Sequence, residues 1–167
     1  MRQIVVSVAM AAFSLGCHKV KAPASFVNVA DHRTANQLIF GFYGVEMNAW
    51  RWVAHTFCVG LGPPVAAADR TTLLVLRLYI PDSQIAELGP MTLAANIAGE
   101  SLEPEIFSKS GTYIYSRELP ARILETNIVP VTFTFDRFLP ADAGGGRELA
   151  AVVSAIGLQS RSARRIE

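Results

Sequence analysis

Residues 131–136 read Val131-Thr132-Phe133-Thr134-Phe135-Asp136. Apolar and polar side chains alternate strictly. Successive side chains of an extended chain point to opposite faces, so this pattern predicts a half-buried strand. The same period recurs on both sides of it. Leu74, Leu76, Leu78 and Ile80 make a second apolar row, with Arg77 and Tyr79 on the opposite face. Met91, Leu93, Ala95 and Ile97 make a third, and Gly99-Glu100 then separates that strand from Ser101-Leu102 as a hairpin would. Tyr113, Tyr115 and Arg117 share one face of a short strand, with Ile114 opposite, and a last apolar strand covers Leu149 to Leu158. Helical signals are confined to connectors. Asp82 follows Pro81 and can cap a short helix that carries Ile85 and Leu88 and stops at Gly89. Ala121 to Leu124 after Pro120 offers a second turn. About seven or eight short strands with Pro and Gly punctuation predict an all-β fold, a two-sheet antiparallel β-sandwich over 36–158.

Composition agrees with this and excludes several classes. The chain has 167 residues, 51% hydrophobic and 17% charged, which excludes a disordered regulator or a coiled coil. Fifteen basic against fourteen acidic residues give a net charge of +1, so no nucleic-acid partner is expected from a broad basic footprint. Two cysteines exclude a disulfide-dense scaffold and a zinc ribbon.

The N-terminal stretch reads as an address. Arg2 precedes an apolar run from Ile4 to Leu15, and the run closes on Gly16-Cys17. A positive start, about a dozen apolar residues and a small residue at the end describe a secretory signal peptide over 1–17. The run is shorter than the roughly 20 residues of a membrane span. Its end resembles a bacterial lipoprotein signal, which implies lipidation of Cys17 and a membrane contact through that lipid. Ser14 stands where such signals prefer leucine, with Leu15 one residue later. The alternative is an ordinary secreted protein. With Cys17 acylated, Cys58 is a lone buried thiol; otherwise a Cys17–Cys58 disulfide is open to it. Residues 18–35 read as a tether, and 159–167, with Arg161, Arg164 and Arg165, as a basic flexible tail.

The densest chemistry lies in Gly41-Phe42-Tyr43-Gly44-Val45-Glu46-Met47-Asn48-Ala49-Trp50-Arg51-Trp52. Both tryptophans stand here among a glutamate, an asparagine and an arginine. An aromatic face stacks on the apolar side of a sugar ring, while planar polar groups take its hydroxyls. Glu46, Asn48, Trp50 and Arg51 are therefore the candidate ligand-binding residues. Parity leaves an alternative open. Phe57, Val59 and Leu61 form a core row at odd numbers, which turns Trp50 and Trp52 outward unless a bulge lies between Val53 and Thr56. A bulge would bring at least one tryptophan into the core. Glu46 and Arg51 could equally pair with each other and staple the loop to the sheet.

Several segments together are similar to bacterial galactose-binding-like jelly-roll domains. They are GFYGVEMNAWRW, LRLYIPD, LGPMTLAANIAGESL, GTYIYSRELP and the closing GGGRELAAVVSAIGL, in which Arg147 and Glu148 precede the last strand. The resemblance spans about 37–158. It implies a non-catalytic jelly roll that binds carbohydrate, protein or lipid or serves as a spacer, and it implies that a structural calcium is a candidate. On the residues themselves no cofactor and no metal site is expected. Glu103 and Glu105, read as lying on a loop, do not make a cluster with calcium-ligand spacing. His18, His32 and His55 are scattered, and HExxH, GxSxG and paired CxxC motifs do not occur. The expectation is a non-catalytic binding module of the bacterial cell envelope, not an enzyme. Its partner would be a glycan or an envelope polymer, and the alternative is a structural or protein-interaction subunit.

Overall fold

The structure is a computed structural model and describes residues 22–65 and 71–161. The signal peptide, Cys17 and the end of the basic tail lie outside the described residues.

Among the described residues the elements run β1 (Phe26–Asn28), a 3-10 turn (His32–Gln37), β2 (Leu38–Glu46), β3 (Trp50–Leu61), β4 (Thr71–Ile80), α1 (Asp82–Leu88), β5 (Met91–Ile97), β6 (Glu100–Phe107), β7 (Gly111–Leu119), a 3-10 turn (Ala121–Leu124), β8 (Val129–Phe135) and β9 (Ala151–Arg161). The fold is an all-β antiparallel sandwich with short connector helices. The alternation that defined β8 is seen directly, with Val131, Phe133 and Phe135 buried and Thr134 exposed. The rows of β4 and β5 are buried as expected, and Arg77 and Tyr79 are exposed.

The two layers are joined in one hydrogen-bonded ladder, β6-β5-β8-β3-β9-β4-β7, with β2 on β3 and β1 on β9. The join is β3. Its residues Thr56–Leu61 pair with β8, and Arg51–Val53 pair with β9. One strand therefore belongs to both layers, and β2 follows it across. The β2–β3 register shifts where Gly41 crosses Phe57. Gly41 has φ +78°, and a Cβ there would run into the Thr56 carbonyl and Phe57, so only glycine fits the crossing.

The core fills the space between the layers. Phe57 of β3 stacks on Phe133 of β8 at 5.0 Å between ring centroids. Tyr115 of β7, from the other layer, meets Phe133 edge-on at 6.2 Å. Cys58 is buried in the middle of β3, where it packs as a small apolar residue. The ladder ends, β6 and β7, are closed by side chains. The Tyr115 hydroxyl donates to the Glu103 carbonyl at 3.0 Å, and Arg117 donates to the carbonyls of Glu103 and Pro104 and to the Glu105 carboxylate.

Some sequence expectations need correction. The stretch read as a tether already contributes structure. Val27 of β1 is fully buried, and β1 pairs with Ala155–Gly157 of β9 because Phe26 lies over Gly157, where a Cβ would strike its ring. The described part of the basic tail continues β9 to Arg161. In the β5–β6 hairpin Ile97 pairs with Glu100, so the two turn residues are Ala98 and Gly99, both at positive φ. Asp82 lies inside α1 and does not cap it; its carboxylate accepts the Ser110 hydroxyl. Glu103 and Glu105 are on β6, not on a loop.

Candidate functional site

The outer face of the layer formed by β3, β9, β4 and β7 carries the chemistry. One rung runs from Trp52 to Val152, Tyr79 and Thr112 across the four strands. The adjacent rung on β4 places Arg77 beside Ala155 and Ile114. Tyr79 is 39% and Ile114 59% exposed, and Phe26 of β1 lies over the same face at 36%. Trp50 precedes Trp52 by two residues on the same side of β3. Their rings meet edge to face, with centroids 6.4 Å apart and planes at 82°. Two perpendicular indoles offer one flat face and a wall beside it, which suits a ring laid flat against the first. Gly44 adds no wall of its own, because a Cβ there would meet open space.

The core row of β3 keeps its odd parity, with Val53, Phe57, Val59 and Leu61 fully buried. The irregularity near residues 54–56 does not invert it. The expectation that a bulge would bring a tryptophan into the core is therefore not met. Both tryptophans are half-buried and outside the core cluster.

The sequence candidates separate into different roles. Glu46 is the register partner of Trp50 and borders this face. It does not pair with Arg51, because Arg147 lies 3.6 Å from it and also stands 5.3 Å over the Tyr43 ring. Asn48 is exposed in the β2–β3 turn at φ +54°, after Met47 at +51°. Met47 and Asn48, two of the three turn residues, are left-handed, which asparagine tolerates better than most, so Asn48 serves the turn. Arg51 points away from the tryptophans. Its Nε donates to the Val29 carbonyl at 2.7 Å and its Nη1 to the Tyr43 carbonyl at 2.6 Å, tying β3 to the end of β1 and to β2.

Sequence reasoning missed most of the rest of this face. The period of β4 turns Tyr79 and Arg77 outward, but nothing local puts them two strands from the tryptophans. His55 Nδ1 lies 2.6 Å from the Glu148 carboxylate, and its ring stacks on Phe138 at 4.5 Å. Arg147 and Glu148 together therefore hold the closing segment to β2 and β3. Among the described residues no group of three or more His, Cys, Asp or Glu side chains gathers as a metal site would require.

No family model matches the chain, and no curated protein matches it. Among solved structures it is similar to a family GH115 4-O-methyl-α-glucuronidase with specificity for decorated arabinogalactans, at 7% identity and a TM-score of 0.47. That match covers 95% of this chain and 20% of the enzyme, so the chain spans about a fifth of the enzyme's length. It is also similar to the CBM36-1 domain of a multidomain xylanase from the hindgut metagenome of Trinervitermes trinervoides. There the identity is 12% and the TM-score 0.38, covering 75% of this chain and 92% of that domain. Neither likeness assigns a ligand or a site to this chain.

Proposed function

We propose that the chain is a non-catalytic carbohydrate-binding module carried at the bacterial cell envelope. The observation that carries this reading is the aromatic outer sheet face, with half-buried Trp50 and Trp52 set at right angles and exposed Tyr79 on the Trp52 rung. A rigid sheet presents these rings at fixed spacing, so little ordering entropy opposes binding. The envelope location rests on the leader reading of residues 1–17, with Cys17 as the lipidated residue. Two or more acyl chains would anchor the protein stably.

A glycan array probed with the purified protein tests the binding role. Binding that is lost in Trp50→Ala, with the melting temperature unchanged, supports it; an array with no signal refutes it. Mass spectrometry of membrane-extracted protein tests the anchor, through a diacylglyceryl-modified cysteine at the mature N-terminus.

A second reading, a protein-docking subunit, has its own observation. Ile39 and Ile128, 55% and 54% exposed, lie over Gly60, and Phe40, 49% exposed, is the register partner of Cys58 on the same part of β3. Pull-down that depends on Phe40 and not on Trp50 would favour it.

A further inference from the structure

The proposed glycan face carries a cation that the fold does not use. Arg77 stands on the outer side of β4 between buried Leu76 and Leu78 and is exposed. Among the described residues no carboxylate pairs with it, whereas Arg33, Arg117 and Arg122 each hold one. Its guanidinium carbon lies 5.9 Å from the centroid of the Phe26 ring, which steadies the group without occupying its donors. A forked guanidinium with free N–H groups matches a carboxylate bidentately.

We infer that the glycan class is anionic, a uronate-containing polymer whose carboxylate is taken by Arg77 while a sugar ring seats against Trp50 and Trp52. The inference rests on the glycan reading above. The register supports a single ligand reaching both. Arg77 is level with Ala155 of β9, and Trp52 with Val152, so Trp50 faces the stretch of β9 between them. β3 and β4 flank β9 on either side, which separates the two groups by two strand spacings, about 10 Å. Among the described residues the other charges on the face leave Arg77 uncompensated. Glu46 is engaged by Arg147. Glu118 is level with Leu73, four residues from Arg77 along β4, or about 13 Å.

The test uses the full chain in affinity electrophoresis against sodium polygalacturonate, alginate and hyaluronan. Fully methyl-esterified polygalacturonate serves as the neutral form of the first. The expected result is retention by at least one polyuronate, at least tenfold weaker in Arg77→Gln. Where polygalacturonate is the ligand, its methyl ester binds equally weakly. Arg77→Gln removes an exposed side chain without a hydrogen bond, so an unchanged melting temperature verifies the fold. A polyuronate held as tightly by Arg77→Gln as by the parent overturns the inference. So does a chain that binds neutral glycans but none of the three polyuronates, and that outcome leaves the glycan reading standing. Failure on the polyuronates and on every neutral glycan overturns both.

Discussion

The guanidinium carbon of Arg117 lies 4.2 Å from the ring centroid of Tyr115, and both side chains donate to the same Glu103 carbonyl. This shared acceptor joins β7 to β6, the two ends of the ladder. Burial pushes the Tyr115 phenol above its usual 10, against a smaller lowering by Arg117, so the phenol remains a donor well into alkaline solution. Arg117→Ala removes the charged donor from Glu103, Pro104 and Glu105 together. It should lower unfolding stability by about 2 kcal/mol, read from the urea midpoint. An unchanged midpoint would mean that the ladder ends hold without this clamp.

Phe133 touches Phe57 and Tyr115, one from each side of the core. Phe133→Ala should cost about 3–5 kcal/mol, as expected for a fully buried aromatic cut to alanine. Thr132→Ala, on the other face of the same strand, should cost less than about 1 kcal/mol. Equal losses at the two positions would contradict the assignment of faces.

Arg51 separates a structural role from a binding role. Its two hydrogen bonds end on backbone carbonyls, not on the tryptophan face. Arg51→Ala should lower stability by about 1.5–3 kcal/mol and leave glycan affinity within about twofold, an energy difference under about 0.5 kcal/mol. A variant that keeps its midpoint but loses binding would place Arg51 in the site.

Asp31 accepts hydrogen bonds from the Arg33 side chain and then from its backbone N–H, which hold its carboxyl down from 3.8 to about 2. A folded value below the unfolded one adds stability that is present above 3.8 and lost as pH falls through about 2. Carbon NMR should place the Asp31 midpoint near the lower value, and the charge-dependent part of the difference between Asp31→Asn and the parent should shrink as pH falls from 3.8 through about 2. A midpoint near 3.8 would show that the Arg33 contact does not persist in solution.

Much of the fold was legible because a period of two decides which face is buried; β5 and β8 follow it residue by residue, and β4 follows it from Leu76 to Ile80 but also buries Val75. The legible part ends where tertiary contact decides. β1 is three residues long, too short for a period to show, and it forms because Gly157 makes room for Phe26. The crossing at Gly41 depends on a close approach to Phe57 that has no sequence signature. At the site, the outward parity of Trp50 and Trp52 could be read as one of two options. Their neighbours Tyr79 and Arg77 come from a strand about 25 residues on in the chain, brought near only by the insertion of β9. The Arg51 and Arg117 contacts end largely on carbonyls, which every residue carries, so composition gave no hint of them.

The indole resonances of the two tryptophans test the aromatic face most directly. Titrating the isotope-labelled protein with the glycan selected on the array should shift the Nε1–H signals of both Trp50 and Trp52, and Trp50→Ala should abolish the shift at Trp52. Saturable glycan binding that leaves both indole signals unmoved would contradict the assignment of this face as the site.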